Sequence, residues 1–377
     1  MIFPDAMLGM LGGGQLGRMF TLAAHSMGYR VTVLDPDPLS PAGSIADVHI
    51  KAAYQDHEAL QQLADTCVAV TTEFENVPAD SLRWLASHCA VRPAGHAVAI
   101  AQDRIREKSF VRSCGIETAP YAVIEKAADL DGVDAQLFPG ILKRARFGYD
   151  GKGQARVANA AEARKAFADM GAESCVLEQR VNLKCEISAV VARGADGIGR
   201  GFPVAENRHR QGVLDVSIVP ARVSDALSHR ATEWALKIAE KLDYCGVLAV
   251  EFFVTSSGEL LVNEMAPRPH NSGHYTIDAC VTSQFEQQVR ALCGLPLGET
   301  RLLRPVVMVN LLGEAWQRGE PAWDRVFAQP AAKLHLYGKH EARAGRKMGH
   351  FTVLDDNIEN ALKNARALRT AFYPDWN

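Results

Sequence analysis

The first hundred residues alternate between short apolar runs and longer segments of mixed polarity. Apolar runs of strand length occur at residues 7–11, in RVTVL and in CVAVTT, and QLGRMFTLAAHSMGY between the first two has helical spacing. Strands that alternate with helices of this length predict a parallel, doubly wound sheet. Such sheets bind ligands beyond the carboxyl ends of their strands. The segments that follow these runs are therefore candidate binding loops.

The pattern changes after about residue 103. AQDRIREKSFVRSCGI predicts an amphipathic helix rich in both charges, and GILKRARFGYDGKGQARV predicts a strand, a glycine-rich basic loop and a second strand. SCVLEQRV, CEISAVVARG, GVLAVEFFV and ELLVNEMAP are β-rich and separated by short turns, which favours antiparallel pairing. Further strands and a polar helix are predicted beyond Leu303.

Length and composition restrict the class of protein. The chain has 377 residues, 47% of them hydrophobic, and a formal net charge of −3, which predicts two or three compact units without a general affinity for nucleic acid or anionic membranes. No apolar run approaches the roughly 18 residues that a membrane span needs. Eight scattered cysteines without a C-x-x-C pair predict free thiols and no zinc site. We expect a cytoplasmic protein.

One hypothesis comes from the glycine-rich turn after the first strand. Gly12, Gly14 and Gly17 spell G-x-G-x-x-G, and Asp35 follows 18 residues later, where dinucleotide-binding folds keep an acid for the ribose. This pattern alone would predict an oxidoreductase whose nicotinamide cofactor binding is lost on Asp35→Ala. The G-x-G-x-x-G motif is weakly specific, so motifs elsewhere in the chain are needed to test the oxidoreductase hypothesis.

A second glycine-rich loop, FGYDGKGQ, spans residues 147–154. Its backbone N–H groups are free to fold over phosphate oxygens, and Lys152 adds a mobile positive charge. Lys143, at the end of the preceding apolar strand, is placed for a second phosphate contact. The spacing fits neither a Walker A loop nor a kinase loop. From these residues alone, an exposed hairpin turn is an equal alternative.

Two carboxylates on one predicted hairpin indicate a metal site. If Val254 pairs with Glu259 across the TSSG turn, Glu251 lies opposite Val262 and Glu264 is its diagonal neighbour, with Cα atoms roughly 7–8 Å apart. Carboxylates on an apolar hairpin are costly unless they are paired or bind a cation, and oxygen ligands suit Mg²⁺. The alternative is a pair of carboxylates on an exposed hairpin face.

These motifs resemble one family when they are taken in order. Lys143, GYDGKGQ, EQRV with Glu186, and VEFF followed by VNEMAPRPHNSGH resemble the ATP-grasp ligases. From GGGQLGRM through EFENV and QDRIREK to GKHEARAGRKMGH, the whole chain is similar to the N5-carboxyaminoimidazole ribonucleotide synthetases. GYDGKGQ and APRPHNSGH are the specific motifs.

The resemblance implies a three-part α/β and α+β fold. We expect a Rossmann-like preATP-grasp domain over residues 1–103, an ATP-grasp domain over 104–300 with a lid at about 115–182, and a small β-rich C-terminal domain over 301–377. The implied reaction uses ATP to convert bicarbonate to carboxyphosphate and then carboxylates the amine of aminoimidazole ribonucleotide, directly or through CO₂. It implies Mg²⁺, a homodimer, and no NAD, flavin or biotin.

The resemblance also assigns site residues. Glu251 and Glu264 are implied to hold magnesium, with Ala266 standing where many ATP-grasp enzymes have a further Asn. Catalytic roles are implied for Arg268, His270 and Lys152. ATP contacts are implied for Arg104, Lys143, Gly148, Tyr149, Asp150, Gly151, Lys152, Gly153, Gln154, Glu178, Gln179, Arg180, Val181, Glu186, His209, Asn263 and Glu264. Substrate contacts are implied for Gly14, Gln15, Leu16, Glu75, Tyr149, Asp150, Arg268, His270, Asn271, Lys339 and Arg346.

Several roles in that set depend on the resemblance alone. Lys339 and Arg346 become clamps for the ribonucleotide phosphate, whereas their segment by itself would be interpreted as a solvated basic loop. The first glycine turn becomes a site for the sugar-phosphate substrate, and Asp35 becomes an ordinary acid at a strand end. Alternatives within the fold are a formate-dependent glycinamide ribonucleotide transformylase or another carboxylate–amine ligase. A nucleotide-sensing protein without catalysis is disfavoured by the intact pair of glutamates.

Overall fold

The N-terminal part is a parallel five-stranded sheet covered by helices, as the alternation of its sequence predicts. We describe residues 1–146, 148 and 153–375 of a computed structural model. The strand order is β3-β2-β1-β4-β5. The strands are β1 (Met7–Leu11), β2 (Arg30–Leu34), β3 (Val48–Ile50), β4 (Ala69–Thr72) and β5 (Ala90–Val91), and the helices are α1 (Gln15–Ser26), α2 (His57–Thr66), α3 (Ala79–Ala86) and α4 (Gly95–Ala101).

A charged helix, α5 (Arg104–Ser113), connects this sheet to the rest of the molecule. It is shorter than the segment predicted from sequence, because Asp103 stops the preceding residues from joining it. The Asp103 carboxylate accepts hydrogen bonds from the backbone N–H groups of Ile105 and Arg106, which fixes the N-terminus of α5. This cap places Arg104 at the first position of the helix.

A small antiparallel sheet follows, with strand order β6-β9-β7-β8. Its strands are β6 (Tyr121–Ile124), β7 (Gly140–Arg144), β8 (Gln154–Val157) and β9 (Cys175–Gln179), with helix α6 (Ala160–Asp169) and two short 3₁₀ turns, Ala127–Asp131 and Ala135–Leu137. Buried side chains that include Leu142, Phe167 and Leu177 form a separate core between this sheet and α6. Most of the FGYDGKGQ loop, residues 147 and 149–152, lies outside the described residues.

The largest sheet is antiparallel and has the order β15-β14-β10-β12-β13-β16-β18-β17, with β11 paired to β10. Pairing between β13 and β16 makes the C-terminal strands a continuation of this sheet. The strands are β10 (Leu183–Arg193), β11 (Gly199–Gly201), β12 (Ala205–Arg210), β13 (Val213–Val219), β14 (Gly246–Thr255), β15 (Leu260–Ala266), β16 (Val306–Leu312), β17 (Ala332–Leu336) and β18 (Lys347–Leu354). The remaining α-helices are α7 (Asp225–Lys241), α8 (Thr276–Ala279), α9 (Gln284–Cys293), α10 (Trp323–Phe327) and α11 (Ile358–Phe372), and 3₁₀ turns occur at Asn271–Gly273 and Gly313–Trp316.

Helix α9 holds the parallel sheet against the large antiparallel sheet. Its residues Phe285 and Val289 belong to the same buried cluster as the apolar side chains of β1, β2 and α1. Gln288 is also buried; its Nε2 donates to Thr71 Oγ1 at 2.9 Å and its Oε1 accepts from the Val247 N–H at 2.6 Å. The carboxyl edge of the parallel sheet is therefore fixed beside strands β14 and β15.

The helices and the cysteines agree with the composition of the chain. No helix in the described part of the chain is long and apolar enough to cross a membrane. All eight cysteines lie among the described residues, and each is a free thiol.

Candidate active site

A cavity of about 1390 Å³ lies where the three sheets meet. Its walls come from the loops after β1 and β4, from α5, from strands of both antiparallel sheets, and from the loop before β18. Residues predicted from sequence that line it are Gly14, Gln15, Leu16, Glu75, Arg104, Lys143, Gly148, Gln154, Glu178, Gln179, Arg180, Val181, Glu186, His209, Glu251, Asn263, Glu264, Arg268, His270, Asn271, Lys339 and Arg346.

The remaining predicted residues do not form part of this wall or lie outside the description. Gly153 does not line the cavity; it has a φ of +70° and its carbonyl accepts from the Arg144 N–H at 2.9 Å, so it closes the β7–β8 hairpin. Tyr149, Asp150, Gly151 and Lys152 lie outside the described residues.

The register predicted for the glutamate hairpin was wrong by one residue. Val254 pairs with Leu260 rather than Glu259, and a bulge at Asn263 then brings Glu251 directly opposite Glu264. The extra residue of a bulge redirects the side chains beyond it. As a result the two carboxylates face each other across adjacent strands, which is closer than the diagonal arrangement expected from sequence.

The two glutamates have opposite electrostatic environments. Burial and the charge of Glu264 raise the pKa of Glu251 to about 7. Burial also acts to raise the pKa of Glu264, but the positive charges of Arg104 and Lys143 outweigh it and leave that pKa below its usual value. Arg104 Nη1 lies 3.0 Å from Glu264 Oε2. Glu264 is therefore the ionised member of the pair.

The residues after β15 enclose the other side of Glu251. His270 Nε2 lies 3.3 Å from Glu251 Oε1, and burial together with the charge of Arg268 holds the pKa of His270 well below its usual value. Asn271 is buried beside it, and neither its Oδ1 nor its Nδ2 has a hydrogen-bond partner among the described residues. A buried, unsatisfied amide that faces a cavity is well suited to bind a polar ligand.

The carboxylate oxygens of Glu251 and Glu264 fit a divalent cation. The pair supplies oxygen ligands only, and repulsion between the carboxylates is a cost that a cation would remove. The described residues contain no cluster of three or more His, Cys, Asp or Glu suited to a metal. Two carboxylates with water and phosphate completing the shell is the arrangement typical of Mg²⁺ sites that act on nucleotides.

A buried row of charges lies next to the hairpin. Glu178 places one carboxylate oxygen 3.1 Å from Lys143 Nζ and the other 3.2 Å from Lys108 Nζ. Lys143 Nζ also lies 3.4 Å from Asn263 Oδ1. The Glu178 carboxylate, predicted to lie beside a purine, is thus occupied by two lysines. Glu178 therefore orients the ammonium groups of Lys108 and Lys143 at the cavity wall.

Sequence reasoning missed Lys108 and Glu107. Arg104, Glu107 and Lys108 have helical i, i+3, i+4 spacing, which places them on one face of α5. This spacing is visible in the sequence and could have predicted that Glu107 and Lys108 lie on the same helix face as Arg104. Glu107 lines the cavity, and burial raises its pKa to about 8.

At another wall, His209 pairs with Glu186, with 3.1 Å between Nδ1 and Oε2. Burial acts to lower the pKa of His209, but the hydrogen bond to Glu186 and the charge of Glu251 outweigh it and raise the pKa to about 9. The strands place this pair close to the glutamate hairpin, because β10 lies between β12 and β14. His209 therefore adds a positive charge to an acidic wall.

The first glycine turn has a different partner from the one that sequence predicts. Glu73, in the EFEN segment that was expected to line the same crevice, places its carboxylate at the N-terminus of α1, where it accepts from the Gly14 N–H and from the Gly17 N–H, the latter at 2.7 Å. A Cβ on Gly14 would lie 2.6 Å from Glu73 Oε1. The glycines thus make room for an internal anion. The Gly14 N–H, which was expected to contact substrate, donates to Glu73 in this structure.

Asp35 is also more than an ordinary acid at a strand end. It is buried, and its Oδ2 accepts from the Gly13 N–H at 2.7 Å and from the Tyr54 hydroxyl at 2.6 Å. Its Oδ1 accepts from the Asp37 N–H at 2.8 Å. The carboxylate that would contact a dinucleotide ribose is therefore used to hold the glycine turn.

One ion pair and one hydrogen bond connect predicted substrate residues to one another. Arg268 Nε lies 2.6 Å from Glu75 Oε2. Burial acts to raise the pKa of Glu75, but the charge and hydrogen bond of Arg268 outweigh it and lower the pKa. Lys339 Nζ donates to Gln15 Oε1 at 2.8 Å, which connects the C-terminal loop to the start of α1. Arg346 makes a more exposed contact, in which its Nη1 donates to the Glu341 carbonyl at 2.9 Å.

Comparisons with known proteins agree with this architecture. Three family models match consecutive parts of the chain. They are a ribonucleotide synthetase preATP-grasp domain at residues 6–102, an ATP-grasp domain at 109–285 and a phosphoribosylaminoimidazole carboxylase C-terminal domain at 306–364.

Relatives match almost the entire chain. An N5-carboxyaminoimidazole ribonucleotide synthase of Bacillus subtilis is 47% identical over 354 residues, which cover 94% of this chain and 92% of the relative. A solved N5-carboxyaminoimidazole ribonucleotide synthetase in complex with ADP is 46% identical with a TM-score of 0.91, over 98% of this chain and 97% of that one. An Aspergillus clavatus N5-carboxyaminoimidazole synthase in complex with ADP and 5-aminoimidazole ribonucleotide is 32% identical with a TM-score of 0.89, over 98% of each chain. The chain belongs to the N5-carboxyaminoimidazole ribonucleotide synthase family of ATP-grasp enzymes.

Proposed function

We propose that this chain uses ATP and bicarbonate to carboxylate 5-aminoimidazole ribonucleotide in purine biosynthesis, giving N5-carboxyaminoimidazole ribonucleotide, ADP and phosphate. The observation that carries the proposal is a cavity walled by the loops after β1 and β4 and by strands of both antiparallel sheets, in a chain of this family. The reaction needs three substrates together. A cavity with one acidic wall and several basic residues from distant parts of the sequence meets that need.

The nucleotide is assigned to the space between the small sheet and the large sheet. Arg104 and Lys143 lie beside Glu264, where they would contact the phosphates, and Gln179 to Val181 follow β9 at the same wall. Glu186 and His209 lie on the neighbouring strands, where Glu186 would meet the ribose. Gly148, Gln154 and the predicted loop residues between them complete this assignment.

Mg²⁺ is assigned to Glu251 and Glu264, with Asn263 beside them. When bound, the cation would neutralise phosphate charge, which is the main requirement of phosphoryl transfer. The residues of the chain contribute fixed positive charge near the same position, since Arg104 and Lys143 are buried or nearly so. Loss of water from the closed site would protect carboxyphosphate, which is labile.

Bicarbonate and the amine are assigned to the end of the cavity lined by Arg268, His270 and Asn271. Arg268 supplies a partly buried guanidinium, and Asn271 supplies an amide without a hydrogen-bond partner among the described residues. The ribonucleotide would extend from there toward Glu75, Gln15 and Leu16, with Lys339 and Arg346 near its phosphate. The homodimer implied by the family remains part of this proposal.

The test is ADP release by the purified protein with Mg·ATP and bicarbonate, with and without aminoimidazole ribonucleotide. We expect strong stimulation by the ribonucleotide that also requires bicarbonate. Stimulation by glycinamide ribonucleotide and formate alone would contradict the substrate assignment and favour the transformylase alternative. ADP release without either acceptor would contradict both.

A further inference from the structure

A row of buried hydrogen bonds connects the His270 ring to the interior of the large sheet. Ser272 Oγ lies 2.8 Å from His270 Nδ1, and Ser188 Oγ donates to Ser272 Oγ at 2.8 Å. Asn207 Nδ2 donates to Ser188 Oγ at 2.9 Å, and Ser217 Oγ donates to Asn207 Oδ1 at 2.8 Å. All four residues beyond the histidine are buried.

The direction of the hydrogen bonds at His270 follows from the donors that face its Nδ1. A serine hydroxyl has one hydrogen to donate. Ser188 donates its hydrogen to Ser272, so the Ser272 hydroxyl keeps its own hydrogen for another acceptor, and His270 Nδ1 lies 2.8 Å away. The Ser272 backbone N–H, which can only donate, also points at Nδ1 from 3.3 Å. His270 Nδ1 is therefore an acceptor, and the hydrogen of the neutral ring lies on Nε2.

The strands explain why the row reaches His270. Ser188 is directly opposite Glu251 in the β10–β14 register, and Asn207 is opposite Ser217 in the β12–β13 register. Side chains at paired positions lie on the same face of a sheet. That face carries Glu251, so the serines approach the cavity from beneath the proposed metal site.

The backbone of His270 is fixed separately from its ring. Its N–H donates to Gln284 Oε1 at 2.9 Å, and its carbonyl accepts from Gln284 Nε2 at 2.8 Å. With the backbone held by Gln284, the ring orientation depends on the contacts at Nδ1 and on Glu251 Oε1, 3.3 Å from Nε2. Substitution of the serines should therefore change the ring without moving the loop.

We propose that Ser272, Ser188 and Asn207 are positioning residues that hold His270 as a neutral Nε2–H donor directed at Glu251 Oε1, which lies 3.3 Å away at the cavity wall. In this form Nε2 donates a hydrogen bond to an anionic oxygen and cannot accept a proton from the amine. Beside Glu251, His270 is then a hydrogen-bond donor for the anion and does not remove a proton. The identity of the anion rests on the proposed function, whereas the tautomer does not.

The test combines a spectroscopic readout with kinetics. Protein labelled with ¹⁵N-histidine is observed by two-bond ¹H–¹⁵N correlation, and the His270 signals are identified by their loss in His270→Gln. We expect a protonated Nε2 and an unprotonated Nδ1 in the unsubstituted protein. A protonated Nδ1 would overturn the proposal.

Ser272→Ala should weaken the tautomer preference and lower kcat for bicarbonate-dependent ADP release by about tenfold, the scale of one hydrogen bond. KM for ATP should remain unchanged. Ser272→Cys, with similar volume and a weak donor, should restore part of both signals, and Ser188→Ala gives a second test if Ser272→Ala does not fold. Ser81→Ala removes a buried serine on α3 as the matched control and should change neither readout.

Unchanged tautomer signals in both Ser272→Ala and Ser188→Ala would overturn the positioning role, whatever happens to kcat. The expected tautomer in a protein without bicarbonate-dependent ADP release would support the hydrogen-bond row and contradict the proposed function.

Discussion

Glu251 and Glu264 face each other across β14 and β15, and among the described residues only Glu264 has a direct cationic partner, Arg104 at 3.0 Å. The difference separates their pKa values, because burial and Glu264 raise that of Glu251 whereas Arg104 and Lys143 lower that of Glu264. A divalent cation between them would stabilise both in the ionised form. The two carboxylates are therefore expected to act as one unit.

The first prediction concerns the loss of one of these charges. Glu264→Gln keeps the size of the side chain but removes a charged ligand, so we expect a folded protein whose ADP formation falls by orders of magnitude. Circular dichroism and an ADP-release assay measure the two properties. Glu259→Gln, an exposed glutamate on the same hairpin, is the matched control. Near-normal turnover in Glu264→Gln would rule out the metal assignment.

The second prediction concerns pH and stability without metal. The folded protein keeps the Glu251 proton up to about pH 7, whereas the usual glutamate pKa is 4.5. Between these values the folded state binds more protons than the unfolded chain, so the contribution of Glu251 to the free energy of unfolding falls as pH rises. Glu251→Gln should remove that contribution and flatten the dependence of Tm on pH in this window.

Mg²⁺ should reverse the same effect, because cation binding requires ionised carboxylates. We expect Mg²⁺ to raise Tm more at about pH 8 than at about pH 5.5, and to raise it little in Glu251→Gln. Differential scanning fluorimetry measures each case. An equal Tm increase in both proteins would show that the cation binds elsewhere.

Much of this architecture was predictable from sequence because its signals are local. The alternation of strands and helices predicted the parallel sheet, and the order of GYDGKGQ and APRPHNSGH predicted the family. The register of strands β14 and β15, in contrast, could not be predicted from local sequence signals. Whether Val254 pairs with Glu259 or Leu260 depends on a bulge at Asn263, and one extra residue changes which side chains face each other.

The glycine turn shows a second limit of sequence reasoning. G-x-G-x-x-G indicates close approach of something to the backbone, but not what approaches. Here Glu73 from the neighbouring strand end supplies the anion, and a Cβ at Gly14 would meet its carboxylate. Long-range partners of this kind, like the Glu178 contacts of Lys108, appear only when the chain is folded.

The third prediction separates the two interpretations of Asp35. Because its carboxylate holds the Gly13 N–H and the Tyr54 hydroxyl, Asp35→Ala should lower the free energy of unfolding by about 1–3 kcal/mol per donor left unsatisfied. Urea unfolding measures the loss, and Asp37→Ala, an exposed neighbour, is the control. NADH binding in the micromolar range that disappears in Asp35→Ala, followed by fluorescence, would instead favour the oxidoreductase.

The fourth prediction concerns the basic loop before β18. Arg346 lines the cavity, and the carbonyl of the next residue, Lys347, accepts a hydrogen bond from Lys339 Nζ, which also donates to Gln15 Oε1. Arg346→Ala should therefore raise KM for the ribonucleotide by about tenfold, the scale of one charge-assisted hydrogen bond, and leave KM for ATP unchanged. Steady-state kinetics with each substrate varied in turn measures both constants. Arg325→Ala on α10 is the control, and a selective loss of ATP affinity in Arg346→Ala would place the loop in the nucleotide site instead.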